Sequence, residues 1–250
     1  LFAGAIALSG SINVSMSLAQ GHAQNAPLVA ALGCSSPSKT SAARLACLRN
    51  RTAQEIAAAV PGSWNTPGMW GLELLNAQGM AYAGLPCVDG AVITHSFADA
   101  LKTGLVDVPL MFGNTGEESD LDPDQDTHGM SDGQWQALLN ASLASWAPEF
   151  PGVGAAVHAA YAAASATDVD KAYTAFNTDY GLTCGSAALA VAAKAGGAYG
   201  SPVYLYVNHW HPETPVPGEG EGGRLVRYAY HTWDYQAATE AWPYAASARS

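Results

Sequence analysis

Charge is scarce in this sequence. Only 12% of its 250 residues are charged, and 10 Lys and Arg stand against 21 Asp and Glu. The formal net charge of −11 repels a phosphate backbone, and no basic cluster offsets it, so nucleic acid is excluded as a partner class. Long apolar runs are lacking as well. The first charged residue is Lys39, but Ser9-Gly10-Ser11, Asn13, Ser15, Ser17 and the polar residues at 20–25 break the stretch before it. No apolar run reaches the length of a membrane span, and none is expected. A basic leader followed by an apolar core is missing too, and position 1 is not Met. No signal peptide is read here, and the chain is expected to open inside a longer polypeptide.

What is abundant is apolar material. The chain is 49% hydrophobic, enough to bury a sizeable core in one or two domains. Residues 1–8 read as a buried strand ended by Ser-Gly-Ser. Residues 14–32 read as a helix interrupted near Gly21 and Pro27, and 41–48 as a second. Thr52-Ala-Gln-Glu55 is a capping box opening a third, because Thr and Glu at that spacing satisfy each other's backbone donors. Residues 97–101 read as a short helix. Val108-Pro-Leu-Met-Phe112 reads as a strand, with the proline pointing to an edge or a strand start. Residues 113–132 read as a polar loop. Ser131-Asp-Gly-Gln134 is a second capping box, leading to a helix with Trp135, Leu138, Leu139 and Ser142 on one face. Alanine-rich helices follow at 153–165, 169–176 and 186–194. Residues 202–207 form a β-branched and aromatic strand, 209–223 a loop, and order returns at 225–230. Few strands separated by many helical stretches predict an α/β fold with strand partners absent from the sheet.

An acid after one strand and a histidine after a later one stand in the order of a hydrolase triad. Glu118 and His231 occupy those places. Imidazole would move a proton between a serine and the leaving group, and the carboxylate would orient the ring and stabilise its charged form. The bland alternative is a solvated acidic loop and a core histidine packed among aromatics. No Gly-x-Ser-x-Gly elbow is read in this chain, Ser11 and Ser186 each following a glycine directly without elbow spacing, and the nucleophile is expected to lie upstream of Leu1.

Several segments, in order along nearly the whole chain, are similar to type-B carboxylesterases, the carboxylesterase/cholinesterase family. Residues 1–11 resemble the segment that follows the family's nucleophile elbow. Leu32-Gly-Cys34, Ala46-Cys47-Leu-Arg49 and Ala53-Gln-Glu-Ile56 resemble its disulfide-closed loop. Leu85-Pro-Cys-Val-Asp-Gly90 resembles its Pro-Val-Val-Asp-Gly stretch, with Cys87 in place of Val. Residues 108–119 resemble the strand and loop that deliver the catalytic glutamate. Asp179-Tyr-Gly-Leu-Thr-Cys184 and Tyr230-His-Thr-Trp-Asp234 resemble two further motifs, the second being the histidine loop. The resemblance implies an incomplete α/β-hydrolase fold: 1–250 as part of one domain, truncated at the N-terminus and at the C-terminus. It implies Glu118 as the catalytic acid, with Glu117 its acidic neighbour, and His231 as the base. By spacing alone a Cys34–Cys47 bridge is one of several pairings; the resemblance implies it. The implied substrate is a small-molecule carboxylic ester, cleaved by the whole parent and not by residues 1–250 alone. Two departures stand out. Ser119 replaces a glycine, which requires its φ to be negative, and Thr232 replaces the glycine after the histidine.

Weaker signals complete the reading. Asn13, Asn50 and Asn140 begin Asn-x-Ser/Thr triplets, a vote for a secreted or extracellular glycoprotein. The carboxylates at 120–126 fail the glycine and glutamate positions of an EF-hand loop. His209-Trp-His211 lacks a partner set for a metal. No metal and no cofactor is expected. The seven tryptophans are read as core, with Trp233 alone near the chemistry. The rival class is a cholinesterase-like adhesion or binding protein that keeps the fold without the reaction. A third possibility is a misassembled gene without a function of its own. Oligomeric state is not legible.

Overall fold

The structure is a computed structural model that describes residues 2–10, 16–35, 40–61, 87–121, 127–217 and 225–239. Asn13, Trp64, Trp70, Leu85, Pro86, the carboxylates at 122–126 and the glycine-rich run 218–223 lie outside the described residues. The chain divides into two compact units. One holds the described parts of 14–67 and 80–97; the other holds the described parts of 1–13 and 98–250.

The smaller unit contains α1 (Leu18–Ala31), α2 (Ser41–Arg49) and α3 (Ala53–Ala59). A capping box between Ser17 and Gln20 opens α1. The expected interruption does not occur, and α1 runs through both Gly21 and Pro27. Gly21 is buried, and Asn25 Nδ2 donates to its carbonyl at 2.7 Å. Proline costs one backbone bond, yet its φ is compatible with a helix. A well-made stop follows it. Gly33 adopts φ 66°, and Cys34 and Gly33 donate to the carbonyls of Val29 and Ala30. This is a Schellman motif, for which glycine is the natural residue. It leaves Cys34 fully buried and bonded to Cys47 across 13 residues. The predicted capping box of Thr52 and Glu55 opens α3.

The larger unit carries a parallel sheet of β1 (Ala5–Leu8), β2 (Leu110–Thr115) and β3 (Val203–Asn208), in the order β1-β2-β3. β2 is therefore central, not an edge. Pro109 precedes its first residue, where no ladder donor is needed, and its carbonyl accepts from Ala5 N at 3.0 Å. β2 also runs three residues further than its apolar sequence suggests. Gly113, Asn114 and Thr115 pair with Tyr206, Val207 and Asn208. The buried Asn114 side chain finds partners: its Nδ2 donates to Thr115 O at 2.7 Å and to Thr183 Oγ1 at 3.0 Å. Gly113 is required by close approach, since a Cβ there would stand 1.8 Å from the Tyr206 ring.

The helices of this unit, after α4 (Phe97–Lys102), are α5 (Asp132–Ser142), α6 (Val153–Ala160), α7 (Ala162–Ser165), α8 (Val169–Thr178), α9 (Cys184–Ala195) and α10 (Trp233–Thr239). The single helix expected over 153–165 is two, parted at Tyr161. Tyr161 donates its hydroxyl to Asp179 at 2.6 Å and packs its ring on Phe176. A π-helical turn, Asp179–Thr183, joins α8 to α9. Trp135, Leu139, Leu143, Val169, Ala172, Tyr173 and Phe176 form the main core, with Trp135 edge-on to Tyr173 and Phe176. The stretch expected as a plain loop contains β4 (Val216–Pro217), antiparallel to β5 (Leu225–Val226). No helix among the described residues is long and apolar enough to cross a membrane.

Candidate active site

The parallel register brings together what the sequence keeps far apart. Leu8 pairs with Gly113, so Ser9 emerges beside the carboxyl end of β2, and its N–H donates to Gly113 O at 2.7 Å. β2 then turns through a 3-10 segment, Glu118–Asp120. Gly116 permits that turn: a Cβ there would lie 2.4 Å from the His209 ring.

Glu118 is fully buried. One carboxylate oxygen accepts from Thr115 N at 2.7 Å and from the Ser9 hydroxyl. The other lies 2.5 Å from Nδ1 of His231. A carboxylate only accepts, so Nδ1 carries the hydrogen of this pair. The Glu118 backbone is held as firmly: its N–H donates to Thr178 Oγ1 at 2.8 Å, and its carbonyl accepts from His231 N at 3.1 Å. The His231 side chain is 34% exposed, against 0% for Glu118. A buried acid thus grips the inner nitrogen of a ring whose other side reaches the surface of this unit.

The histidine segment is fastened on both sides. Arg227 bonds Asp168 at 2.7 Å and Asp170 at 2.6 Å, both at the start of α8. Burial works against the guanidinium charge, but Asp170 and the surrounding groups outweigh it and hold Arg227 above its ordinary pKa. Tyr228 donates its hydroxyl to Asp168 at 2.7 Å. Beyond the ring, Tyr206 donates to Asp234 at 2.6 Å; burial first, then this bond, raises the pKa of the phenol. Trp233 is buried, stacks on Trp210 and leans on Tyr230.

Of the two departures, Ser119 meets the condition set for it: its φ is not positive. Ser9, at φ 49°, and Thr232, at φ 72°, are the non-glycine residues in the left-handed region among the described residues. Ser9 is held there by its bond to Glu118. Thr232 is β-branched, and that conformation costs it on the order of 1–3 kcal/mol.

The pentapeptide Gly129-Met-Ser131-Asp-Gly133 does have the Gly-x-Ser-x-Gly spacing, which the expectation of a nucleophile outside the chain had passed over. The structure gives it another task. Ser131 is the N-cap of α5, at φ −75° and ψ 158°; its hydroxyl donates to Gln134 Oε1 at 2.8 Å and accepts from Gln134 N at 3.4 Å. It follows a turn rather than a strand, so it is no nucleophile elbow. Among the other expected residues, Asn50 ends α2 and Asn140 lies within α5, both exposed. Cys87 and Cys184 are free thiols. Among the described residues no cluster of His, Cys, Asp and Glu is placed to hold a metal ion.

Residues 1–244 match the profile of the carboxylesterase family, and the chain belongs to that family. It is similar in structure to a PNB esterase, with TM-score 0.58 and 20% identity over 97% of this chain and 44% of that one. Another structure of a PNB esterase gives TM-score 0.57 and 18% identity, covering 96% and 42%. None of the curated proteins matches the sequence. The chain therefore spans less than half the length of the solved structures it matches, and the shared fold is that of an α/β-hydrolase, present here in part.

Two outcomes follow. Thr232→Gly relieves the left-handed strain while adding freedom to the unfolded chain, a net gain of about 1 kcal/mol and roughly 2–4 °C in Tm; a lower Tm would contradict the strain. Glu117 supplies the second. Burial pushes its carboxyl above the ordinary 4.5, and Asp120 adds to this, while the N–H of Ala229 and the nearby Lys171 and His209 offset part of it. An acid whose folded pKa is raised costs nothing below its ordinary pKa, and removes stability as pH rises through the folded value. Glu117→Gln should thus gain on the wild type as pH rises above the ordinary 4.5 in urea titrations. A pH-independent difference would mean that Glu117 ionises without penalty.

Proposed function

We propose that this chain carries the acid and the histidine of a Ser-Glu-His ester hydrolase, acting on small-molecule carboxylic esters. The observation that supports this best is the buried Glu118 carboxylate 2.5 Å from Nδ1 of a His231 that is itself one-third exposed. A histidine serving only the core has no need of an exposed edge.

With Nδ1 bound to Glu118, proton transfer falls to Nε2. His231 would take the hydroxyl proton as serine attacks the ester carbonyl, then return it to the departing alcohol. Glu118 would orient the ring and stabilise the imidazolium, and Ser9 and Thr115 would keep that carboxylate aimed. Ser131 is committed to its helix cap, so the attacking serine and the oxyanion donors, often the largest catalytic contribution, would come from residues other than those described here. Accordingly, purified residues 1–250 should hydrolyse p-nitrophenyl acetate no faster than buffer. In the native gene product, Glu118→Gln should lower kcat about 10⁴-fold, the scale set by replacing a triad acid with its amide. Hydrolysis by residues 1–250 that is lost with His231→Ala or Ser131→Ala would overturn the division of labour. A native product without esterase activity would favour the binding-protein class.

The same reading places the protein outside the reducing cytosol, in a secreted or extracellular setting. It is supported by the Cys34–Cys47 bridge, since such bonds persist in oxidising compartments, and by the exposed Asn50. Alkylating the native protein without reductant should leave both cysteines unmodified; modified thiols at 34 and 47 would refute the placement.

A further inference from the structure

We propose that Asp120 is the positioning residue that sets the His231 ring on Glu118; this rests on the reading of that pair as a catalytic couple. Asp120 is fully buried. Its Oδ2 accepts two consecutive backbone donors of the histidine segment, Arg227 N at 2.7 Å and Tyr228 N at 2.8 Å.

Its neighbours extend the grip. Glu117 Oε2 accepts from Ala229 N at 3.3 Å, and Glu117 N donates to Ala229 O at 3.0 Å. The Glu118 carbonyl accepts from His231 N. Of the five backbone N–H groups in 227–231, the four at 227, 228, 229 and 231 thus end on three residues of one short turn. That turn carries both the carboxylate that holds the imidazole and the carboxylate that holds its backbone. Asp120 N donates to Glu117 O at 2.9 Å, which fixes the spacing between them. A change in how Asp120 holds residues 227 and 228 therefore shifts the ring relative to Glu118. The Arg227 bonds to Asp168 and Asp170 pin the far end of the same segment to α8. Asp120 grips its backbone just ahead of Glu117's bond to Ala229.

Charge matters to this function. Bonds to an ionised acceptor are about twice as strong as those to a neutral one. An amide at position 120 keeps the shape and one acceptor oxygen but loses that strength, so Asp120→Asn acts as a graded perturbation and Asp120→Ala as a complete one.

The test is imidazole ¹⁵N–¹H spectroscopy on the full chain, following solvent exchange of the His231 Nδ1 proton. Asp120→Asn should accelerate exchange about tenfold, equivalent to about 1.4 kcal/mol, and Asp120→Ala should abolish the signal. Asp89→Asn serves as control. Asp89 Oδ1 accepts three backbone N–H groups, from Ala91, Val92 and Ile93, in the other unit, and that variant should leave the His231 exchange rate unchanged. If Asp120→Ala fails to fold, Asp120→Asn decides. An unchanged rate in a folded Asp120→Asn protein overturns the proposal, as does equal acceleration in Asp89→Asn. The readout needs no ester and no serine, so a failure of the esterase reading leaves it intact.

Discussion

Everything in the larger unit converges on one buried charge. Moving a carboxylate from water into a protein interior costs several kcal/mol unless it is fully bonded. Glu118 meets that demand with Thr115 N–H, the Ser9 hydroxyl and the His231 ring. Each of these donors exists only once a different part of the fold is in place: the end of β1, the end of β2 and the strap following β5. The carboxylate is therefore a test of correct assembly as well as a group suited to catalysis.

Chain separation makes the dependence strict. Ser9 and His231 lie 109 and 113 residues from Glu118. Local structure cannot bring them together; the parallel register of β1 on β2 and the clasp of the acidic turn on 227–231 do so. The backbone accepts strain to complete the arrangement, at Ser9 and again at Thr232. Two glycines, 113 and 116, give up side chains so that the Tyr206 and His209 rings can close over the turn.

Much of this was legible in the sequence where the determinants are local. Both predicted capping boxes form, because a Thr or Ser and an acceptor three residues on need only one helical turn. The α/β class followed from the alternation of strand and helix patterns. Glu118 and His231 stood out through the order of motifs, and the disulfide through the same resemblance. What was hidden is tertiary. Pro109 suggested an edge or a strand start; it lies just ahead of the first residue of a strand that is central, so the second alternative is the one found. Asn114 and Thr115 read as loop, yet pair with β3. Asp120 looked like one carboxylate in an acidic run, and only its reach across more than a hundred residues reveals its bonds to 227 and 228. Gly129–Gly133 shows the converse: a pentapeptide with the right spacing is a helix cap, because a motif acts only in its structural setting.

The central claim is that Glu118 and His231 serve a serine that residues 2–10, 16–35, 40–61, 87–121, 127–217 and 225–239 do not provide. Fluorophosphonate labelling of the native gene product, followed by peptide mapping, tests it most directly. The account predicts a covalent adduct on a Gly-x-Ser-x-Gly serine outside residues 1–250, with labelling lost in His231→Ala. An adduct on Ser131, or no adduct on a folded protein with His231 intact, would contradict it.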